Sequence, residues 1–210
     1  MKALGPSQRS RIDGCLLGGA VGDALGAPVE FLSVAEIRRR YGPAMVRGYV
    51  AEADGQGRFT DDTQMSLFTA EGLIRALNRF YDRGLCNIPS VLVRAYHRWL
   101  SSQGIAPPDD GMPRDPAGWL SQVNVLRRRR SPGTTCLSAL QSEECGSRQR
   151  SINNSKGCGG VMRIAPVGLV EEHPFDLAAE IAAITHGHPT GYLAAATFAE
   201  VIASLYRGQS

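Results

Sequence analysis

Apolar residues recur along this chain at helical spacings. From Arg11 to Leu25, Ile12, Leu16 and Gly19 share one helical face with Asp23, and Leu17, Val21 and Ala24 lie beside it. The pattern predicts a buried helix that Gly26 and Pro28 terminate. Gly14, Gly18, Gly19 and Gly22 each cost such a helix about 1 kcal/mol relative to alanine, so close approach of another backbone is the expected compensation. A second helix is expected from near Thr60 to about Arg79. There Leu67, Ala70, Ile74 and Leu77 recur every three or four residues, and Met65, Phe68 and Leu73 add apolar surface on other faces. A third follows Pro89, with Leu92, Tyr96, Trp99 and Leu100 on its inner side, and stops at Gly104 and the Pro107-Pro108 pair.

Short helices are expected around Trp119 to Arg128 and Thr134 to Leu140, after a loop over 107–118 and before a polar stretch from Gln141 to Lys156. Two helices close the chain. The first runs from about Asp176 to His186, and the second opens at Pro189 and carries Tyr192, Ala195, Phe198, Ile202 and Leu205. Only Met45 to Ala51 resembles a strand, and nothing alternates with period two over a useful length. The absence of a fixed-period repeat excludes a helical solenoid. The expected fold is all-α, in one domain.

Composition narrows the class. With 43% hydrophobic and 20% charged residues, the 210-residue chain can bury one sizeable core and has no disordered bias. The net charge of +3 is too small to argue for specific nucleic-acid or membrane binding, although a mildly basic surface suits an anionic substrate. Cys15, Cys86, Cys136, Cys145 and Cys158 lack the close pairs of a zinc or redox motif, which fits reduced thiols in the cytosol. Lys2, Arg9 and Arg11 ahead of the Gly14 to Pro28 stretch imitate a signal peptide, but Asp13 and Asp23 interrupt its apolar run. No stretch reaches the ~18 apolar residues of a membrane span. A soluble, cytoplasmic protein is expected.

Three segments carry candidate chemistry. Arg58-Phe59-Thr60-Asp61-Asp62-Thr63 sets two carboxylates and two hydroxyls at the start of an apolar helix, and such hard oxygen ligands suit magnesium. A helix cap at Thr60 with two aspartates favouring the dipole explains the same pattern. Asn153 to Arg163 joins a glycine-rich loop to an apolar segment. Its backbone amides could meet phosphate, with Lys156 and Arg163 adding charge, although it matches neither the P-loop nor the dinucleotide fingerprint. Thr185-His186-Gly187-His188-Pro189 is a tight turn whose imidazoles could polarise substrate, bind metal or bond the backbone. The Arg127 to Arg130 run reads as a solvated helix end.

Taken in order, Gly14 to Phe31, the Thr60-Asp61-Asp62-Thr63 segment, Ser131-Pro132-Gly133-Thr134-Thr135, Ser155 to Pro166 and the Thr185 to Pro189 turn resemble the ADP-ribosylglycohydrolase family over nearly the whole chain. The resemblance implies an orthogonal helical bundle and a hydrolase that removes ADP-ribose from a modified protein or small molecule. It also implies two magnesium ions in a cleft across which the ribose lies. Thr60, Asp61 and Asp62 would be metal ligands, Asp61 and Asp62 also serving the reaction. Glu30 would gate the cleft or help activate water. Lys156, Gly157, Cys158, Gly159 and Gly160 would surround the phosphates and distal ribose, His186 and His188 would line the cleft, and Asp23 would support the ligands from behind.

Members of that family carry a second acidic metal motif, Asp-x-Asp-Thr, in a C-terminal segment, and no Asp-x-Asp pattern occurs in these 210 residues. The expectation is an N-terminal portion of such an enzyme that holds about half of the ligand set. A catalytically inactive ADP-ribose-binding module is the competing reading. Magnesium demands near-octahedral oxygen geometry, of which Thr60, Asp61 and Asp62 supply one edge. Residues 1–210 alone are therefore expected to bind magnesium weakly and to release little ADP-ribose, as calorimetry and a release assay would measure. Robust magnesium-dependent release by the isolated, monodisperse chain would show that another acidic residue completes the site.

Overall fold

A computed structural model describes residues 5–50, 57–109 and 118–209, and all regular structure among them is helical. Helix α1 spans Pro6–Gly26, α2 Val34–Tyr41, α3 Asp61–Arg83, α4 Ile88–Ser102 and α5 Thr134–Leu140. Then come α6 (Ala165–Val170), α7 (Phe175–Ala183) and α8 (Pro189–Arg207). Short 3₁₀ turns at Trp119–Gln122, Asn124–Arg127 and Cys158–Gly160 link them. No described helix is long and apolar enough to cross a membrane.

The periodic segments fold as their spacing predicts, some ends falling where expected and α1 beginning earlier, at Pro6 rather than Arg11. Asn87 caps α4 by accepting from the Ser90 amide at 2.9 Å, and Gly84 closes α3 in the left-handed region at φ 74°, where a side chain would be strained. Residues 45–50 form no strand, and Ala51 lies outside the described residues, as does most of the expected loop over 107–118. Helix α2, with too few apolar positions for a periodicity argument, was signalled only by its capping box. The Ser33 and Glu36 side chains each accept from the other's backbone amide, at 3.3 and 2.8 Å.

The core lies between two helix pairs. Helix α3 packs along α4, and Gly72 allows the approach: a Cβ there would stand 2.8 Å from Leu92 Cδ1 and 3.1 Å from the Ala95 Cβ. Met65, Phe68, Leu92, Tyr96, Trp99 and Leu100 are wholly buried between these helices and their neighbours. Helix α7 meets α8 through Ala178, Ala179 and Ala182 on one side and Ala195, Ala196 and Ala199 on the other. Buried Gln64 knits the irregular segment to this core. Its Oε1 accepts from Trp99 Nε1 (3.2 Å) and Gln103 Nε2 (3.1 Å), while its Nε2 donates to the carbonyls of Leu126 (3.3 Å) and Arg128 (2.9 Å).

The expectation of a buried, closely packed α1 is not met. Of its residues only Ala24 is buried, Leu17 is 66% exposed, and a Cβ at Gly14, Gly18, Gly19 or Gly22 would meet nothing within 4 Å. The reason is positional: α1 flanks an open cleft, so among the described residues no backbone approaches its glycines. Close approach of the kind predicted for α1 occurs instead at Gly168, where a Cβ would press on the Ala199 carbonyl oxygen and stand 2.9 Å from Ile202 Cβ.

Two glycine substitutions should therefore move stability in opposite directions. Gly168→Ala is expected to cost ~1–3 kcal/mol through overpacking of α6 on α8. Gly18→Ala is expected to stabilise α1 by up to ~1 kcal/mol, since its space is open and its backbone helical. Urea denaturation of both variants measures this, and a destabilised Gly18→Ala would show that α1 is covered after all.

Candidate functional site

The C-terminal end of α1 is tied to the start of α3 by one carboxylate. Asp23 Oδ2 accepts from the amides of Thr60 (2.8 Å) and Thr63 (3.1 Å), Oδ1 accepts from the Thr60 hydroxyl at 2.7 Å, and the Thr63 hydroxyl donates to Oδ2. These amides are among the orphan donors of a helix N-terminus, which is why an acceptor from another element can grip them. Thr60 also caps α3 through its own oxygen, accepting from the Asp62 amide at 3.3 Å. The capping explanation of the acidic segment is thus physically realised through Thr60, with neither the Asp61 nor the Asp62 carboxylate serving as the cap.

Those two carboxylates diverge. Asp61 is buried: its amide donates to the Arg130 carbonyl at 2.8 Å, and its Oδ2 accepts from the Gly133 amide at 3.1 Å. Asp62 is half-buried and lines a cleft of about 870 Å³ bordered by α1, α3, α6 and α8. Asp23, Glu30, Thr60, Thr63 and Cys158 line its acidic end with Asp62. Leu169, Phe198, Ile202 and Leu205 line it elsewhere, and Arg11 Nη1 donates to the Tyr206 carbonyl (2.7 Å) to join α1 to α8.

Burial and neighbouring carboxylates both act on the acids at this end of the cleft. Burial, and then the charges of Asp23 and Glu30, push the Asp62 carboxyl up to about 6. Burial also pushes Asp61 up to about 7, against the opposing Gly133 amide and with help from Asp62 and Asp23. Cys158 lines the same cleft, and its thiol is raised by partial burial and then by the charges of Asp62, Glu30 and Asp61. Among the described residues no three carboxylate, imidazole or thiol groups converge to hold a metal by themselves. The crowded oxygen donors fit a hard cation as one side of a site, the remaining positions needing water, ligand hydroxyls or further protein oxygens.

Of the glycine-rich 156–160 loop only Cys158 lines the cleft; Lys156, Gly157 and Cys158 are exposed, and Gly159 and Gly160 are buried. Its glycines are required by packing: a Cβ on Gly159 would stand 2.6 Å from His186 Cε1 and 2.9 Å from Cys136 Sγ, and one on Gly160 3.1 Å from the Ala182 Cβ. His186 is accordingly only 2% exposed, beneath the loop, and burial, then the Arg163 charge, pulls its pKa down to about 4. His188 caps α8, its Nδ1 accepting from the Thr190 amide at 3.0 Å. Arg163, expected to add charge to the loop, instead turns inward and is wholly buried, donating to the Ile181 carbonyl (3.2 Å) and the Thr185 hydroxyl (2.7 Å). Thr63 and Gly133 belong to motifs named above, but their bonds to Asp23 and Asp61, like the packing of Cys136 under the loop, depend on contacts between distant segments.

A family model described as ADP-ribosylglycohydrolase matches residues 4–210. The ADP-ribosyl-dinitrogen reductase glycohydrolase of Rhodospirillum rubrum is 32% identical over 212 residues, covering 98% of this chain and 61% of that protein. A protein of Archaeoglobus fulgidus described only as uncharacterized is 31% identical over 180 residues, covering 82% of this chain and 48% of its own length. The chain thus spans between about half and three-fifths of the length of these curated relatives.

The raised carboxyls have a measurable consequence. Asp61 and Asp62 hold their protons to higher pH when folded than when unfolded, so between about pH 4 and 7 the folded state binds more protons and their contribution to stability falls as pH rises. In the absence of divalent cations, Asp62→Asn should therefore gain on the wild type in melting temperature as pH increases across that window. A melting-temperature difference that stays constant with pH would show that Asp62 ionises normally.

Proposed function

The chain belongs to the ADP-ribosylglycohydrolase family, and from that premise and the geometry of its cleft we propose that it serves a magnesium-assisted hydrolase that removes ADP-ribose from a modified protein or small molecule. The observation that carries the reading is the acidic end of the cleft, where Asp62 is partly buried and the charges of Asp23 and Glu30 reach it. Such crowding is costly without a cation and becomes favourable with one.

Thr60, Asp61 and Asp62 are the residues that would hold magnesium, whose two expected ions would supply Lewis-acid stabilisation and fix the ribose hydroxyls. Asp23 sets the backbone from which these side chains project. Glu30, exposed in the turn after α1, stands where a carboxylate can accept a proton from water or stabilise oxocarbenium character at the anomeric carbon. Of the glycine-rich loop Cys158 lines the cleft; Lys156, Gly157, Gly159 and Gly160 would surround the ligand beside it, where Lys156 would attract the diphosphate. His186 would support that loop from below, and the His188 amide donates to the Ser155 carbonyl at 3.4 Å, which ties the start of α8 to the residues just before the loop. An ADP-ribosylated protein is the substrate class that the name of the Rhodospirillum relative suggests for this chain. Neither specific nucleic-acid binding nor membrane association enters the proposal.

The test is ADP-ribose release, with and without magnesium, by this chain alone and with an Asp-x-Asp-Thr segment supplied covalently or in trans. Asp62→Asn should abolish metal-dependent release while keeping the fold. A cap role alone predicts the reverse, a loss of ~1 kcal/mol of stability with activity retained. Glu30→Gln should lower kcat while leaving ADP-ribose binding nearly intact, since a base or gate acts on the reaction more than on the ground state. Binding of ADP-ribose with no release under any metal condition would overturn the hydrolase reading in favour of an inactive binding module.

A further inference from the structure

Beneath the glycine loop lies a buried chain of polar groups that the proposed chemistry leaves unexplained. Arg163 is 0% exposed, and its partners are a carbonyl, a hydroxyl, two sulfurs and an aromatic face. Its guanidinium stands 4.5 Å over the Tyr96 ring, and Nη2 reaches the Ile181 carbonyl and, at 2.7 Å, Thr185 Oγ1. Thr185 Oγ1 is in turn 2.8 Å from His186 Nδ1. We propose that Arg163 and Thr185 are positioning residues that hold His186 as its neutral Nε2–H tautomer, giving the 157–160 loop a fixed hydrogen-bond donor against its inner face.

The direction of the chain follows from the chemistry of its first member. A guanidinium has only donors, so Thr185 Oγ1 must accept from Arg163. The hydroxyl retains one hydrogen to donate. His186 Nδ1 at 2.8 Å is a strong acceptor, whereas the nearby Cys136 sulfur is a weak one and is itself approached by Arg163 Nη1 at 3.6 Å. If Nδ1 accepts, the neutral imidazole carries its proton on Nε2. A second proton is disfavoured because burial and the Arg163 charge both oppose the imidazolium.

The surroundings of the ring show what this arrangement serves. A Cβ on Gly157 would stand 3.3 Å from His186 Nε2, one on Gly159 would stand 3.0 Å from the same nitrogen, and one on Gly191 would stand 3.3 Å from the His186 Cβ. The imidazole occupies space that side chains at those positions would need, and its Nε2 edge is directed at the loop backbone. The loop is moulded on the ring, and the ring is oriented by a charge that cannot be neutralised. That the loop so shaped borders a ligand rests on the function proposed above; the tautomer does not, and it is read without substrate.

The measurement is histidine nitrogen NMR on the 210-residue chain at pH 7. In the wild type, His186 Nδ1 should resonate as an unprotonated, hydrogen-bonded nitrogen, with Nε2 protonated and the Thr185 hydroxyl proton protected from exchange. Thr185→Ser should preserve all three features. Thr185→Val should shift Nδ1 to the value of a nitrogen without a donor and move the Gly157 and Gly159 amide resonances with it. A proton on Nδ1 in the wild type, or an Nδ1 resonance unmoved by Thr185→Val, would overturn the proposal. Should Thr185→Val fail to fold, the wild-type and Thr185→Ser spectra decide it. A correct tautomer in a chain that never supports hydrolysis would count against the function and leave the relay standing.

Discussion

The Asp23 carboxylate is the constraint on which the rest of the site depends. It accepts from two backbone amides and two hydroxyls at the start of α3, so a single side chain of α1 satisfies donors that a helix N-terminus otherwise leaves to water. Hydrogen bonds to a charged acceptor are worth about 1.5–3 kcal/mol each, more than neutral ones, and here they join elements with few other contacts. Because Asp23 directs its oxygens at Thr60 and Thr63, its charge remains close to Asp62 without supplying a positive partner. The same interaction therefore orders the helix start and creates the electrostatic strain that a cation can relieve.

Beyond that clamp, irregular segments are carried to the site by buried polar groups. Gln64 uses both ends of its amide to join α4 to the 124–128 turn, and the Glu71–Arg98 pair at 2.7 Å is fully enclosed while Glu71 also accepts from the Leu120 amide. Buried groups of this kind are costly unless fully paired, and pairing them here ties the 118–130 segment to α3 and α4. Asp61 extends the same logic by receiving the Gly133 amide, so the segment that follows the arginine run arrives beside the acidic cluster. Polar contacts thus bring irregular segments to helices whose own packing is largely apolar.

The division between local and tertiary information is clear in particular elements. The periods of α3, α4 and α8, the Asn87 and Thr60 caps and the Gly84 stop are encoded within a few residues of each helix, because hydrogen bonding and apolar spacing there are local. The family resemblance likewise rests on short motifs in order, and the family match over residues 4–210 agrees with it. The all-helical class followed from the same patterns. What spacing could not supply was the environment of each pattern. Glycines of α1 and glycines of the 157–160 loop look alike in sequence, yet the first group meets nothing within 4 Å and the second closes on His186, Cys136 and Ala182.

Arg163 makes the same point about charge. Beside a glycine-rich loop its guanidinium reads as an anion-binding group, but the fold turns it into the core to meet Thr185 and Tyr96. Sequence by itself determined the longer periodic helices, the Thr60 cap, the acidic and glycine-rich motifs and the family they belong to, since these depend on neighbours a few positions apart. Tertiary structure alone decided that Asp23 grips α3, that Asp61 and Asp62 part company, that His186 lies under the loop and that α1 borders an open cleft. Each of those outcomes depends on which distant segment comes within hydrogen-bonding or van der Waals distance, a quantity that no local spacing contains.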